Sequence, residues 1–477
     1  MKVTIAKDKR IGQPIHQDLT WRSVSQITFP EKGQASGTKP DGSNKAEHVY
    51  YGNSHSVMIE TASNDSAMSE RVLRILVVKY YVFGLYWTVE STTVKPLAEL
   101  ARRGHQVTFL ALTASKSIVR RTVPGFNLDL VPKLKELPVL CRVFFEFVAV
   151  WRLLKSIARL DAVILDNYSV PMLFPVLLLR RLCSHTPVLL LHIETNVVEE
   201  GELRTLAVTF LDALSIKLAS ILFDKILFSS QMMMDLYQKM YRISTSKIGV
   251  WANSVEANFA ETTNEKKTTL LRQELGLTGQ VGFLYHGWIS KSRGTIELVE
   301  AFRILKERST NATLVLLGYG PEREAISRYI AAHNLEDVVK LRGPVDHSEV
   351  PTYIAACDAG ITTIPDHIWF RYQNPIKVLE YLAMNKPMIV SDIPAHRWII
   401  GNKPVALYLK GTDPYSIADG VCTFLKSANS FDPTLGKRIV EERFTPEKIA
   451  DMLESQILSL MYGSSGQDLT PKENDRK

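Results

Sequence analysis

The sequence predicts an α/β protein made of two Rossmann-like domains that face each other across a central cleft. Three observations predict it. From Arg74 onward, short apolar runs alternate with helix-length amphipathic segments, the sequence form of parallel sheets covered by helices. The runs fall into two series of comparable size that join around Trp251 to Ser254. The chain's 477 residues, 45% hydrophobic and 22% charged, are the length and composition of roughly two soluble globular domains.

Residues 1–70 lack sustained apolar periodicity and carry a polar, Gly-rich tract at 32–45, so they read as a disordered extension. Nor do they show the basic flank and apolar core of a secretory signal. The first domain, 71–250, opens with an apolar run at 75–78. A loop containing Gly84 leads into a helix in which Val94, Leu97, Ala98 and Ala101 repeat at helical spacing, and Gly104 ends it. Further buried-strand candidates lie at 107–111, 162–165, 188–191 and 226–229. The segment 137–154 is apolar, but Arg142, Glu146 and Arg152 interrupt it, and a membrane span needs about twenty mostly uncharged residues. It reads as a helix that is buried or lies on a bilayer.

The second domain, 251–436, has strand candidates at 282–285, 313–317, 339–341, 360–363, 387–390 and 406–409. A helical pattern of Leu298, Phe302 and Leu305 follows the break at Gly294. Two doubly wound domains place a ligand cleft at the carboxyl ends of their strands. Residues 463–477 read as a disordered tail. Four widely spaced cysteines, Cys141, Cys183, Cys357 and Cys422, suggest neither a zinc site nor a disulfide framework and fit a reducing compartment. The net charge of +7 suits an anionic partner such as a phosphorylated substrate or an anionic membrane surface. No aromatic and basic motif supports nucleic-acid binding. The first strand leads to Tyr80 through Gly84 instead of a Gly-x-Gly-x-x-Gly turn, which argues against a nicotinamide oxidoreductase.

Several residues suggest chemistry. Gly287 to Gly294 lies between a strand and a helix, where glycine allows close backbone approach and Lys291 or Arg293 can neutralise a diphosphate; the other reading is a solvated turn. Asn374, Pro375, Ile376 and Lys377 open a helix with Glu380 about one turn in. That carboxylate either accepts hydrogen bonds from ribose hydroxyls or complements the helix dipole. His192 ends a buried strand on the cleft edge and reads as structural or functional with equal force. Asp166 and Asn167, at the matching end of the preceding strand, either touch an acceptor or form a turn. No carboxylate or histidine set stands at metal-ligand spacing, so no metal and no cofactor is expected.

These pieces resemble the retaining GT-B glycosyltransferases of family four, the glycosyl transferases group 1 that include the phosphatidylinositol mannosyltransferases. The likeness spans about Arg74 to Met461. It includes Gly104, His105 and Val107 after the first helix, the strand ending in Ser229 and Ser230, and Trp251 to Asn253 leading into the linker. It also includes residues 441–450, which look like the closing helix (437–462) that crosses back to the first domain.

The resemblance implies transfer of a hexosyl unit from a nucleotide diphosphate sugar to a glycan or lipid-linked acceptor, with retention of anomeric configuration. The second domain would bind the donor and the first the acceptor. His192 and Glu380 are the implied catalytic residues; Gly84, Gly287, Lys291, Arg293, Tyr372, Asn374, Ile376, Lys377 and Glu380 are the implied donor contacts. The expected location is cytoplasmic, with peripheral attachment to an anionic membrane face. Three departures stand out: Tyr372 replaces the family's first Glu, Trp288 the usual Arg and Arg293 the usual Lys, with Lys291 placed to compensate for the Arg. Tyr372 and Trp288 motivate the alternative of an inactive relative that binds a sugar or nucleotide within a complex.

Overall fold

The computed structural model describes residues 71–463 apart from 84–89, 114–124, 133–137, 168, 171–185, 195–201 and 369. The expected extension 1–70, the tail from 464 onward and Gly84 lie outside the described residues. The first domain holds seven parallel strands: β1 (Arg74–Phe83), β2 (Gln106–Thr113), β3 (Phe126–Pro132), β4 (Ala162–Asp166), β5 (Val188–Ile193), β6 (Lys225–Phe228) and β7 (Ile248–Val250). Their order is β3-β2-β1-β4-β5-β6-β7. The second holds β8 (Val281–Trp288), β9 (Ala312–Tyr319), β10 (Val339–Arg342), β11 (Ala359–Thr362), β12 (Met388–Ser391) and β13 (Ala406–Leu409), ordered β10-β9-β8-β11-β12-β13. Both sheets therefore have the doubly wound order that reverses beside the first strand, between β1 and β4 and between β8 and β11, where a crevice opens.

The central strands form because their apolar residues are buried on both faces: Ile75, Leu76, Val77 and Val78 of β1 are each at most 4% exposed. The sequence pattern misses β3 and β7 because both are edge strands, where one covered face suffices. In β3, Asn127 and Asp129 alternate with the apolar residues.

Helix α1 (Lys95–Arg102) ends as expected at Gly104, whose φ of 97° lets the His105 amide reach the Leu100 carbonyl. Helix α2 (Pro138–Ser156) turns Cys141, Phe145, Ala149 and Leu153 into the first domain's core. Helix α3 (Ile376–Ala383) follows β11.

The single closing helix expected over 437–462 is two helices, Thr434–Arg443 and α4 (Pro446–Tyr462). The break has a local cause. Pro446 supplies no amide donor, and Thr445 turns its side chain to cap the Lys448 amide. The crossing itself is present: Arg103 pairs with Asp451 and Glu454 of α4, and His105 lies 3.0 Å from Glu454. Ile449, Leu453 and Ile457 join the apolar cluster that holds Val77, Leu97, Leu379 and Leu382. Burying each contributes about 1.5–3 kcal/mol, so α4 fastens the two lobes through apolar area more than through its exposed ion pairs.

Candidate functional site

A cavity of about 600 Å³ opens between the lobes at the carboxyl ends of β8 and β9. The first domain contributes Thr92 and Glu194 to its wall, and the linker contributes Asn253. The second contributes Gly287, Trp288, Arg293, Tyr319, His347, and the start of α3 from Asn374 to Lys377 with Glu380.

Glycines set this shape. A Cβ on Gly318 would lie 1.9 Å from the Gly287 carbonyl oxygen and one on Gly320 2.0 Å from that of Ile289, so only glycine lets β8 and β9 leave the sheet side by side. Trp288 and Tyr319 then meet edge to face at the mouth, ring centroids 5.1 Å apart. Arg293 ends a 3-10 turn closed by Gly294, and its guanidinium stands 5.0 Å from the Phe370 ring.

The amino end of α3 carries the least satisfied groups. Asn374 is 3% exposed, and neither its side-chain oxygen nor its nitrogen has a hydrogen-bond partner. The Lys377 ammonium is also buried without one, resting 3.7 Å from the Tyr285 ring centroid. Burial, with repulsion from Arg293, pulls its pKa well below the usual lysine range, while Glu380 opposes the shift. Buried polar groups are rarely left in this state without a water, an ion or a ligand to complete them.

Glu380, by contrast, has a hydrogen-bond partner of its own. His347 Nε2 lies 2.7 Å from one oxygen and His286 Nε2 3.3 Å from the other. Burial pushes its pKa up, but the two histidines outweigh this and hold it below the ordinary value. Burial takes His286 down to about 4, Glu380 opposing.

Across the cavity, Lys79 is buried on β1 and donates to Glu194 at 2.6 Å and to Thr93 at 2.9 Å. Burial raises the Glu194 pKa, yet Lys79 and then His192 overcome it and bring the group to about 2. His192, at the end of β5, stacks on Trp251 with centroids 4.1 Å apart and planes 8° from parallel.

Of the residues singled out in sequence, Gly287, Arg293, Asn374, Ile376, Lys377 and Glu380 line one cavity. Three do not. His192 is 2% exposed and outside the lining, and Lys291 is exposed on the outer side of its turn, so it does not make up for the arginine that Trp288 replaces. Tyr372, expected beside the donor, instead enters the first domain's apolar cluster with Phe228, Met233 and Tyr237, while Ser230 donates to its carbonyl. It is an interlobe contact. Asp166 caps a turn, accepting from the Tyr80 and Ser169 amides, and Asn167 bonds Asp212.

Lys79, Glu194, His286 and His347 belong to the site's networks without standing in a recognisable motif. A lysine inside an otherwise apolar central strand was a usable signal for the first; His347 had none.

With this geometry in view, the comparisons are informative. Residues 267–438 match the family of glycosyl transferases group 1. This segment carries β8 through β13, α3 and the cavity wall that holds Asn374, Lys377 and Glu380. The chain is similar to an alpha-D-kanosaminyltransferase of Streptomyces kanamyceticus, 26% identical over 184 residues, 38% of this chain and 45% of that protein. It spans less than half the length of the curated relatives it matches.

Among solved structures, a glycosyltransferase from Rickettsia africae superposes with a TM-score of 0.64 at 13% identity, covering 83% of this chain and all of that one. Anabaena Alr3699/HepE in complex with UDP-glucose superposes at 0.62 and 15% identity, covering 81% and 99%. These likenesses establish the fold as GT-B.

Proposed function

We propose that the chain transfers a hexosyl unit from a nucleotide diphosphate sugar to a glycan or lipid-linked acceptor, with retention of configuration. The observation that carries this reading is the unpaired Asn374 amide and Lys377 ammonium at the amino end of α3, facing the cavity beside Arg293. A diphosphate answers the donors among these groups, the Asn374 Nδ2 and the Lys377 ammonium, and leaves the Asn374 Oδ1 to a hydroxyl of the same ligand. It accepts from the helix amides and from Asn374, and it restores an ionic partner to Lys377.

In the transfer itself the same cations stabilise the leaving diphosphate, whose developing charge is where electrostatic catalysis acts. Glu380 takes the ribose hydroxyls, sharing its oxygens with His347 and His286. Retention rests on the resemblance to the family-four enzymes, which implies front-side displacement with the departing diphosphate deprotonating the acceptor. Because Lys377, Arg293 and the helix end meet the charge, the reaction as proposed needs no metal or other cofactor.

The test is incubation with UDP-, GDP-, ADP- and dTDP-hexoses in the presence of EDTA. Release of nucleoside diphosphate, and an α-linked product from an α-linked donor by proton NMR, is expected. Failure of all four nucleoside diphosphates to bind refutes the reading.

The acceptor side is proposed to work at an anionic membrane surface. On α2, Leu140, Phe144, Phe147, Trp151 and Leu154 form one exposed stripe at steps of four, three, four and three, with Phe147 68% exposed. Lys155 stacks 3.7 Å above Trp151, and Arg159 follows it into solvent. Such a face suits an interfacial helix. No helix among the described residues is long and apolar enough to cross a membrane. Cosedimentation with vesicles containing anionic phospholipid, lost in the Phe147→Asp/Trp151→Asp variant, checks this; equal binding by that variant refutes it.

A further inference from the structure

The tautomer of His192, at the end of β5, is set by a residue on another strand. Lys79 has three ammonium hydrogens, and three acceptors surround it: Glu194 Oε1 at 2.6 Å, Thr93 Oγ1 at 2.9 Å and His192 Nδ1 at 3.1 Å. An ammonium cannot accept, so Nδ1 must. The imidazole proton then resides on Nε2, which is buried with no hydrogen bond of its own. The stack on Trp251 fixes the ring plane, so turning the ring over would break the Lys79 contact.

We propose that Lys79 is a positioning residue that locks His192 into its Nε2–H tautomer and, through the same ammonium, fixes the Glu194 carboxylate in the cavity wall. Glu194 and Thr93 complete the device by satisfying the ammonium's other two hydrogens. The charged and titratable groups facing the imidazole are Lys79 and Glu194. Burial and then Lys79 take its pKa down to about 3, with Glu194 and the Trp251 backbone pulling weakly the other way. His192 therefore stays neutral at physiological pH, and Lys79 both opposes its protonation and decides which nitrogen carries the single proton.

The effect on turnover rests on the proposed function; the lock itself does not, and the experiment separates them. Protein labelled with 15N-histidine is examined without ligand by long-range 1H–15N correlation, and the His192 signals are assigned by their loss in His192→Gln. The expected spectrum is a neutral Nε2–H tautomer unchanged between pH 5 and pH 8. An Nδ1–H tautomer in the wild type, or a ring that titrates in that range, overturns the proposal without recourse to any variant. Lys79→Met is expected to mix the tautomers and to lower kcat at least tenfold with the KM for donor within threefold, whereas Lys79→Arg retains the Nε2–H form. An unchanged tautomer in Lys79→Met also overturns it. Absence of nucleoside diphosphate binding by the wild type counts against the function alone.

Discussion

Replacing Lys377 by methionine should move stability and ligand affinity in opposite directions. In the free chain the ammonium is buried with no hydrogen bond and faces the charge of Arg293; only the Tyr285 ring and Glu380 favour it. Leaving such a group unsatisfied costs about 1–3 kcal/mol, and the ring contact returns about 0.5–2 kcal/mol. Methionine fills similar volume with no polar atom to satisfy, so Lys377→Met should leave the free chain unchanged or more stable by up to about 2 kcal/mol. If a diphosphate completes the site, the variant loses a charge-assisted hydrogen bond of about 1.5–3 kcal/mol, a rise in Kd of about 10- to 150-fold.

Protonation supplies a second readout. The free-state pKa is depressed and an anion raises it, so the complex holds more protons than the free chain, and affinity must strengthen as pH falls through the interval between the two values. By the same sign, the unfolded chain binds the proton more readily than the folded one, so the free protein gains stability as pH rises toward the ordinary lysine range. Titration calorimetry with UDP, GDP, ADP and dTDP in buffers of different ionisation enthalpy measures both affinity and proton uptake. A Kd for Lys377→Met within about twofold of wild type, or an enthalpy independent of buffer, would refute the reasoning.

The remaining expectations use the same assays. Glu380→Gln should weaken the preferred nucleoside diphosphate by about 1–2 kcal/mol and abolish its preference over the 3′-deoxy analogue; a preference that survives excludes ribose recognition by Glu380. Tyr372→Ala should destabilise the chain by about 3 kcal/mol in urea unfolding, because its ring belongs to the first domain's core, with nucleotide affinity changed less than threefold. EDTA should leave nucleoside diphosphate affinity unaltered, and a drop restored by added magnesium would mean that the cations of α3 do not suffice.

What could be read from sequence follows burial. Central parallel strands need apolar residues on both faces, so β1, β4, β5, β8, β9 and β12 announce themselves as continuous runs, and their order fixes the crevice. The half of the site carried by one local segment, 374–380, was legible for the same reason: a helix start keeps its sequence neighbours together in space. The partners of Glu380 and His192 were not. His347 reaches Glu380 across 33 positions and Lys79 reaches His192 across 113. Such pairings depend on how strands stack, which no local spacing encodes. Tyr372 went astray for a related reason. Its place where the resembling family carries a first Glu, eight positions before Glu380, implies a ligand contact, but the side chain enters an apolar cluster belonging to the other lobe.

The division of satisfied and unsatisfied groups bears on the order of events. Glu194 and Glu380 stand on opposite walls, Glu194 paired with Lys79 of its own lobe and Glu380 hydrogen-bonded to His347 of its own, with Lys95 of the first domain adding a weaker pull. Each carboxylate has a hydrogen-bond partner in its own lobe without a ligand. The side chains of Asn374 and Lys377 have none, and both belong to the second domain. Under the proposed function, nucleotide affinity should therefore come almost wholly from the second domain and precede engagement of the acceptor. Changes at Asn374 or Lys377 should then appear in the Kd for nucleoside diphosphate, and changes at Lys79 or Glu194 in turnover at unchanged Kd. If both sets of variants shifted Kd by the same factor, the first domain would be a donor-binding wall in its own right, and the reading of its network as a positioning device would fall.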